Sequence, residues 1–421
     1  MAPAVQAAAK AAKSAASIET FADAQTLVNA LKPDRPTFGL RPRAAGRAAQ
    51  WFMANFPGDV AYAVKANSSP FLLGALYGAG VRHYDVASLP EIEEVASIPG
   101  VAMHFMHPVK SRNAVRRAFA EFGVRSFSLD TEDELKKILE ETGGAKDLTL
   151  WVRIAVAAKD AKLPLERMFG TTGSKAVKLI QKTRAVAKEL GITFHVGSQT
   201  VTPEAYTSAI AEVRALVTKA DVAIERLDVG GGFPSVYANS HPTRLEHYMS
   251  AIKDAFAAFP GHEKIRLMCE PGRALVAEAE SLIVRVNGKK GNELYINDGA
   301  YGALFDAAHL NWIFPVRHLP IGARPMHQTE AERDGELTAF SFWGPTCDSI
   351  DCMKGPFMLP ASIREGDYIE IGNIGAYGRA IAGRFNGFGT YEQAILNDPP
   401  QLSMYGDSSM PAAAPARGGA K

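Results

Sequence analysis

The chain has 421 residues, and its 46 Lys and Arg residues are balanced by 45 Asp and Glu residues, which leaves a net charge of +1. This balance excludes the basic surface of a dedicated nucleic-acid-binding protein, and the length suffices for two or three domains. Three cysteines without a CxxC spacing favour a reducing compartment over a disulfide framework. Because apolar runs stay below the roughly 18 residues that span a bilayer, we expect a cytoplasmic protein without a membrane partner.

The two ends of the chain differ in composition from the rest. Residues 1–16 are mostly alanine, and residues 406–421 are rich in Ala, Pro, Gly and Ser. Such segments bury little apolar surface, so we predict disordered tails at both ends. The first tail also lacks the long apolar core of a secretory signal.

From Asp59 to Glu270 the sequence repeats a short apolar run, a turn and an amphipathic stretch. Strands that alternate with helices are typical of a parallel sheet with right-handed crossovers. Eight repeats in about 210 residues favour an α/β fold, a parallel (β/α)8 barrel, and the periodicity alone leaves an open doubly wound sheet as the alternative. The predicted strands are Val60–Val64, His83–Ala87, Val101–Met106, Arg125–Leu129, Leu148–Ala155, Ile192–Val196, Glu225–Val229 and Ile265–Cys269.

Helix-capping signals lie between these runs. Ser69 with the proline after it is predicted to begin a helix, and Thr131 to Glu134 form a capping-box pattern. Gly191 is predicted to end a helix over Ser174–Leu190.

After Ala274 the pattern changes to short alternating runs that are rich in β-branched and aromatic residues. This pattern predicts a second, all-β domain. We assign residues 37–274 to the barrel, and residues 17–36 with 275–405 to the β domain. The clearest strands of the β domain are Ser281–Val286, Leu294–Ile296, Leu337–Phe342 and Tyr368–Ile371.

Polar residues or glycines follow nearly every predicted barrel strand. Each has an ordinary structural explanation when taken singly, but the carboxyl ends of parallel barrel strands converge at one mouth. Their convergence therefore predicts an active site there. The main candidates are Lys65, Asp85, Arg153, His195, Ser198, Gly230, Gly231, Gly232, Glu270 and Arg273.

Two of these candidates suggest specific chemistry. Lys65 ends an apolar strand, where burial is expected to lower its pKa and suit it to Schiff-base formation. The glycines from Gly230 to Gly232 allow backbone N–H groups to approach a phosphate. We predict no metal site, because His104 and His107 fall on opposite faces of a strand and the cysteines lack ligand spacing.

Eight motifs in one order resemble the fold-type III pyridoxal-phosphate decarboxylases, the family of eukaryotic ornithine decarboxylase. The resemblance extends from Ala61 to Phe388. The motifs are Ala-Tyr-Ala-Val-Lys65-Ala-Asn, Asp85-Val-Ala-Ser-Leu-Pro-Glu91, Trp-Val-Arg153-Ile, Phe-His195-Val-Gly-Ser198, Asp-Val-Gly230-Gly-Gly-Phe-Pro, Cys-Glu270-Pro-Gly-Arg273, Trp-Gly-Pro-Thr-Cys347-Asp348-Ser-Ile-Asp and Gly375-Ala-Tyr377-Gly.

The resemblance implies that pyridoxal 5′-phosphate is the cofactor. Lys65 would form the Schiff base, His195 would stack on the ring, and Glu270 would pair with the pyridine nitrogen. Supporting contacts are implied for Asp85, Glu91 and Arg153. The phosphate would be held by Ser198, Gly230, Gly231, Gly232, Arg273 and Tyr377.

The resemblance also implies a homodimer with shared active sites, in which Cys347 is a catalytic proton donor to the partner subunit. Asp348 beside it offers an anion for the terminal ammonium of a basic amino acid, and Tyr301 and Asp306 are further candidates for substrate binding. L-Ornithine, converted to putrescine in polyamine biosynthesis, is the first choice. A lysine/ornithine decarboxylase of broad specificity and a diaminopimelate decarboxylase remain alternatives.

Two other readings are weaker. An inactive relative that sequesters a partner would be expected to lose cofactor residues, and all of them are present. A racemase of the same fold would be expected to carry arginine in place of Glu270. Residues 157–170 form a long polar segment, which is either a lid over the site or a disordered surface loop.

Overall fold

The computed structural model describes residues 18–157, 161–163, 168–322 and 337–406. Its strands form a closed barrel, a nine-stranded sheet and a two-stranded ribbon. The predicted tail at 1–16 lies outside the described residues, as does the tail at 406–421 except for Gly406. Within the described ranges, no helix combines the length and the apolar character that a bilayer crossing requires.

The strands in chain order are β1 (Thr20–Phe21), β2 (Thr37–Leu40), β3 (Asp59–Ala63), β4 (His83–Val86), β5 (Ala102–Phe105), β6 (Ser126–Leu129), β7 (Thr149–Arg153), β8 (Ala161–Leu163), β9 (Glu189–Thr193), β10 (Ser198–Thr200), β11 (Arg226–Asp228), β12 (Arg266–Cys269), β13 (Glu280–Lys290), β14 (Glu293–Ile296), β15 (Val316–Leu319), β16 (Leu337–Trp343), β17 (Cys352–Pro360), β18 (Tyr368–Ile371) and β19 (Glu392–Leu396). The helices are α1 (Ala24–Leu31), α2 (Pro42–Asn55), α3 (Pro70–Ala79), α4 (Leu89–Val95), α5 (Arg112–Ala120), α6 (Glu132–Glu141), α7 (Gly173–Arg184), α8 (Glu204–Ala220), α9 (Leu245–Ala257), α10 (Arg273–Val276), α11 (Phe305–His309) and α12 (Gly378–Ile381).

Parallel strands close the barrel in the order β3, β4, β5, β6, β7, β9, β11 and β12. Met268 and Cys269 of the last strand pair with Asp59 and Val60 of the first. This closure confirms the predicted (β/α)8 barrel and rules out the open sheet. Every predicted barrel strand overlaps an observed one.

The sixth barrel strand begins earlier than predicted, and the assignment of Gly191 to a helix end is wrong. Helix α7 already ends at Arg184, and β9 starts at Glu189. A Cβ atom on residue 191 would lie 2.2 Å from the ring of Trp151 on the neighbouring strand. Glycine is therefore required by a close approach inside the barrel.

Both predicted helix starts are confirmed. The Thr131 hydroxyl accepts the Glu134 N–H at 3.2 Å, as a capping box requires. Ser69 is the N-cap of α3, but its side chain makes no capping hydrogen bond. The side chain of Asn67 instead accepts the Ser69 N–H at 3.0 Å.

The barrel interior has three layers, since alternate strand residues point inward. At the N-terminal end, which we call the base, Arg226 contacts Glu189 at 2.5 Å and Arg266 contacts Asp59 at 3.2 Å. The carboxyl ends of the strands form the mouth. Between the base and the mouth lies an apolar cluster of Ala61, Met106, Trp151 and Met268, which we call the apolar layer, beside the buried His104 and Ser126.

The second region is a sheet in which β13 is central and pairs with β2, β14 and β18. The sheet confirms the predicted all-β region and includes five strands that we did not predict, β1, β2, β15, β17 and β19. One face covers an apolar cluster that includes Phe38, Trp312, Phe342 and Ile369.

The predicted boundary at residue 37 is wrong, because β2 belongs to this sheet. Residues Thr37–Leu40 pair antiparallel with the start of β13 and parallel with β19. All four residues of β2 are buried, so the strand lacks the alternating pattern that would distinguish it from a barrel strand. The chain enters the barrel only at α2.

Residues 157–170, the predicted lid or surface loop, lie partly outside the described residues. The described part includes β8, which pairs antiparallel with β10. Leu163 is opposite Ser198 in this ribbon, so the backbone of the segment reaches a predicted phosphate-binding residue. Whether the segment acts as a lid stays a prediction.

Candidate active site

Lys65 lies in a single 3₁₀ turn, Val64–Ala66, directly after β3 at the mouth. Its Nζ lies 3.6 Å from Oδ2 of Asp85, and 45% of its side chain is accessible. Burial disfavours the ammonium form, but Asp85, Tyr377 and Glu270 together outweigh this effect and raise the pKa of Lys65. The expectation of a lowered pKa was therefore wrong, because it left out the carboxylate on the next strand.

The second region of the protein clamps the turn that carries Lys65. The Asn67 amide donates to the Gly375 carbonyl at 2.9 Å, and the Tyr377 N–H donates to the Ala66 carbonyl at 2.7 Å. Buried hydrogen bonds of this kind hold the position of a backbone segment. The lysine is thus fixed from both the barrel and the second region.

One cavity at the mouth brings together most of the predicted residues. Asp85 and Arg153 are buried beside it; Asp85 raises the pKa of Lys65, and Arg153 lowers it. Glu91 lies behind Asp85, where it accepts the Ala87 N–H at 2.7 Å, and burial raises its pKa to about 7. The cavity is lined by Ala63, Lys65, His195, Ser198, Gly231, Gly232, Phe233, Glu270, Gly272, Arg273 and Tyr377.

Glu270 is at the acidic end of this cavity and is 2% exposed. Burial and the neighbouring carboxylates of Asp228 and Asp85 raise its pKa well above the ordinary value. Its Oε1 is buried without a hydrogen-bond partner among the described residues. An orphaned buried acceptor is costly, so this atom is suited to a hydrogen-bond donor from a bound ligand.

His195 presents a neutral ring to the cavity. Burial lowers its pKa well below the ordinary value, and the positive charges of Arg153 and Lys65 act in the same direction. The Gly197 N–H donates to Nδ1 at 2.9 Å, so Nδ1 is an acceptor and the ring hydrogen is assigned to Nε2. A neutral imidazole can stack on a flat heteroaromatic ring.

The glycine run forms a wall without side chains. Gly230 and Gly232 have φ values of +69° and +101°, a conformation that favours glycine. A Cβ atom on Gly231 would lie 2.6 Å from the Glu270 carbonyl oxygen and 3.2 Å from Nε2 of His195. The run therefore lets a ligand approach the backbone, as a phosphate requires.

Arg273 is at the cationic end. Its Nη1 donates to the Tyr237 hydroxyl at 2.9 Å, and Nη2 donates to Oδ2 of Asp306 at 3.3 Å. The guanidinium lies 3.8 Å from the centroid of the Trp312 ring. Its Nε is buried and has no partner among the described residues. This N–H remains available to an anion.

Asp306 is buried against Arg273 and does not line the cavity. Its predicted role as a substrate-binding carboxylate stays a prediction. The carboxylate fixes the orientation of the guanidinium, which places Asp306 among the residues that support the anion site.

The loop that carries Cys347 and Asp348 is exposed and does not line this cavity. The Tyr301 hydroxyl donates to Oδ2 of Asp348 at 2.5 Å, and this hydrogen bond lowers the pKa of Asp348. The Cys347 N–H donates to Oδ1 of Asn386 at 3.4 Å. Within the described part of one chain, these residues form a second group apart from Lys65.

Sequence analysis missed some residues that build the site. Asp228 ends a barrel strand just before the glycine run, so its position at a strand end was a usable signal. Tyr237 and Trp312 lie far from Arg273 in the sequence, and no local pattern indicates that they surround it.

The orphaned atoms provide a test of the implied cofactor. Glu270 Oε1 is an acceptor and Arg273 Nε is a charged donor, and both belong to residues that line the same cavity. A pyridine ring with a protonated nitrogen and a phosphate group satisfies both atoms, with Lys65 and His195 beside it. The residues therefore fit pyridoxal phosphate.

Comparisons with known proteins agree. Residues 43–277 match the family model "Pyridoxal-dependent decarboxylase, pyridoxal binding domain". Lysine/ornithine decarboxylase from Selenomonas ruminantium is 32% identical over 82% of this chain and 85% of its own, and ornithine decarboxylase from Mus musculus is 32% identical over 78% and 73%. The arginine decarboxylase structure from Paramecium bursaria Chlorella virus has a TM-score of 0.77 and 25% identity, covering 88% and 98% of the two chains.

The closed barrel, the mouth cavity and these similarities lead to one assignment. The chain belongs to the pyridoxal-dependent decarboxylases, and its cofactor is pyridoxal phosphate.

Proposed function

We propose that this protein decarboxylates basic amino acids, with L-ornithine as the preferred substrate and putrescine as the product. The observation that carries this proposal is the pairing of Cys347 with an ionised Asp348 on one exposed loop. A carboxylate recognises the terminal ammonium of ornithine or lysine, and a thiol one residue away can donate a proton.

Each residue at the mouth has a separate role in the proposed reaction. Bound pyridoxal phosphate supplies an electron sink for the negative charge that remains when CO₂ departs. In this proposal Lys65 binds the cofactor, Glu270 faces the ring nitrogen, and Arg273 with the glycine backbone holds the phosphate. His195 covers one face of the ring and keeps water from it.

The departure of CO₂ leaves the α-carbon of the substrate short of one proton. We assign this proton to the thiol of Cys347, whose S–H bond breaks as the new C–H bond forms. Solvent then restores the thiol. Free cysteines are most often buried and inert, whereas Cys347 is exposed beside a carboxylate.

In this proposal a homodimer with shared active sites brings the Lys65 cavity of one subunit together with the Cys347–Asp348 loop of the other. Cys347 and Asp348 do not line the Lys65 cavity of their own chain, so the partner subunit would supply them. Exposed apolar side chains flank the loop, and such patches favour a protein interface. They include Ile350, Phe385 and Phe388.

Substrate preference is expected to be modest. Ornithine and lysine differ by one methylene, which pockets distinguish by only about 1–3 kcal/mol. The relative from Selenomonas ruminantium is named a lysine/ornithine decarboxylase, which supports broad specificity as the second candidate.

The test is to compare kcat/KM for ornithine, lysine, arginine and diaminopimelate by measuring CO₂ release. We expect ornithine to be best, and Asp348→Asn to raise KM for ornithine while leaving cofactor absorbance unchanged. Preference for arginine or diaminopimelate would contradict the proposal.

Shared sites are tested by mixing Lys65→Ala with Cys347→Ala. Each variant alone is expected to be nearly inactive, and randomly reassorted dimers should recover about a quarter of the wild-type activity, since half of the dimers carry one intact site. Absence of any recovery after verified subunit exchange would contradict shared sites.

A further inference from the structure

Asp228 is a buried carboxyl group at the mouth that the proposed reaction does not use. It ends β11 and is fully buried. The Thr193 hydroxyl donates to Oδ2 at 2.6 Å, and the Gly230 N–H donates to Oδ1 at 2.9 Å. A backbone N–H can only donate, so this environment favours an ionised Asp228 that accepts hydrogen bonds.

Glu270 lies on the adjoining strand end, where its N–H donates to the Gly230 carbonyl at 2.8 Å, and the charges of Asp228 and Glu270 act on each other. Two ionised carboxylates would repel each other in a buried site, and one proton on the pair removes this repulsion. Burial raises the pKa of Asp228 to about 6, and it raises the pKa of Glu270 well above the ordinary value. Since Asp228 already accepts two hydrogen bonds, the proton is assigned to Glu270.

The other charges around the pair are consistent with one shared proton. The negative charge of Asp85 raises the pKa of Glu270, and the positive charges of Lys65 and Arg153 lower it. Arg153 also lowers the pKa of Asp228. Cys269 next to Glu270 is a buried thiol, and burial raises its pKa. Three carboxyl groups thus face two cations, and a single proton makes this cluster neutral.

We infer that the Asp228–Glu270 pair holds one proton in the cofactor-free protein and gives it to the ring nitrogen of the cofactor, with Asp228 as the positioning residue that keeps this proton on Glu270. On binding, the O–H bond of Glu270 breaks and an N–H bond forms at the ring. Both carboxyl groups are then ionised, and the positive ring nitrogen balances the added charge. The inference rests on the cofactor and on the proposed role of Glu270, and it does not depend on the identity of the substrate.

The prediction is a difference in how cofactor affinity depends on pH. In the wild-type protein the pair already carries the proton, so an unprotonated ring needs none from solution. In Asp228→Asn only two carboxylates face the two cations, so the cluster is neutral with Glu270 ionised. An unprotonated ring must then take up a proton from solution when it binds. Protonation of the free ring is common to both proteins and cancels in their ratio. Linkage then requires the affinity of the variant, relative to wild type, to fall by up to about tenfold per pH unit for as long as the wild-type pair holds its proton.

The experiment titrates full-length, cofactor-free protein with pyridoxal 5′-phosphate from about pH 6 to about pH 9, the range over which one proton is followed by linkage. Titrations of Lys65 and of the phosphate are common to both proteins and cancel in the ratio. Asp298→Asn is the matched control, because Asp298 is buried and also accepts one backbone N–H, from Ala303, and one hydroxyl, from Tyr391.

We expect the affinity ratio of Asp228→Asn to wild type to fall with pH and that of Asp298→Asn to stay constant. Parallel pH profiles for all three proteins would overturn the inference. If Asp228→Asn does not fold, Asp228→Ser provides the test, since serine also removes the second carboxyl group while Glu270 stays opposite the ring, and it should show the same steep profile. Failure to decarboxylate ornithine would contradict only the proposed function, because this experiment uses no substrate.

Discussion

Both ends of the barrel interior carry charged residues, but these residues are paired differently at the base and at the mouth. At the base, Arg226 and Arg266 form ion pairs with Glu189 and Asp59, and even Oδ2 of Asp59, which accepts no hydrogen bond among the described residues, lies 3.2 Å from the guanidinium of Arg266. At the mouth, Glu270 and Arg273 each keep a buried polar atom without a partner. The base thus uses charge for stability, and the mouth holds its charge ready for a ligand, a difference that fits the usual division of function in this fold.

The largest expected effect is at the mouth. Lys65→Ala should lower kcat for amino-acid decarboxylation at least about a thousandfold, because the cofactor loses its attachment and its orientation. Absorbance of the bound cofactor and CO₂ release would measure the loss. Lys182→Ala is the control, since this exposed lysine forms a surface ion pair with Glu132. Full turnover in Lys65→Ala would contradict the assignment.

The apolar layer between the two ends is tested by Gly191→Ala. The added methyl group would lie 2.2 Å from Trp151, so the free energy of unfolding should fall by about 3 kcal/mol. Gly288→Ala is a matched control, because a Cβ atom there meets nothing closer than 3.8 Å. Equal stability of the two variants in denaturant unfolding would contradict the close approach.

At the base, Arg226→Met should lower the free energy of unfolding by about 1–2 kcal/mol, because it leaves Glu189 without its closest partner. Cofactor affinity and kcat should stay at wild-type values, since the apolar layer separates the base from the cavity. Urea unfolding and steady-state kinetics would measure the two effects. A large loss of kcat at unchanged stability would show that the ends are not independent.

The smallest effect is a pH dependence of opposite sign at the two ends. Burial raises the pKa of Glu91 to about 7 from 4.5, so the native state binds more protons than the unfolded state in that window, and stability falls as pH rises through it. Arg226 lowers the pKa of Glu189 in spite of partial burial, so the stability from Glu189 is lost as pH falls below about 4.5.

Glu91→Gln should therefore reduce the slope of the free energy of unfolding against pH between about pH 5 and pH 7, by the equivalent of about one proton at most. Glu189→Gln should reduce this slope only in acid. Thermal unfolding of cofactor-free protein across this range would measure both slopes. Indistinguishable profiles for the two variants would contradict the comparison.

The barrel was predictable because each of its strands is a local apolar run followed by a polar end. The residues of the mouth, such as Lys65 and Glu270, were predictable for the same reason, because parallel strands bring their carboxyl ends together. The strand β2 was not, since a short strand buried on both faces looks the same in a barrel and in a sheet.

Long-range contacts account for the other errors. The pKa of Lys65 depends on Asp85 on the next strand. The contact of Asp306 with Arg273 likewise follows from no local pattern. Gly191 resembled a helix end in sequence, and only the neighbouring Trp151 explains it. In each case the deciding partner comes from another element, so a linear reading could not include it.

The clamp around the Lys65 turn has a consequence for biosynthesis. Residues 375–377, which hold the turn, and Asp306, which orients Arg273, follow every barrel strand in the sequence. A growing chain can therefore complete its coenzyme pocket only after the region that follows the barrel has been made and has docked.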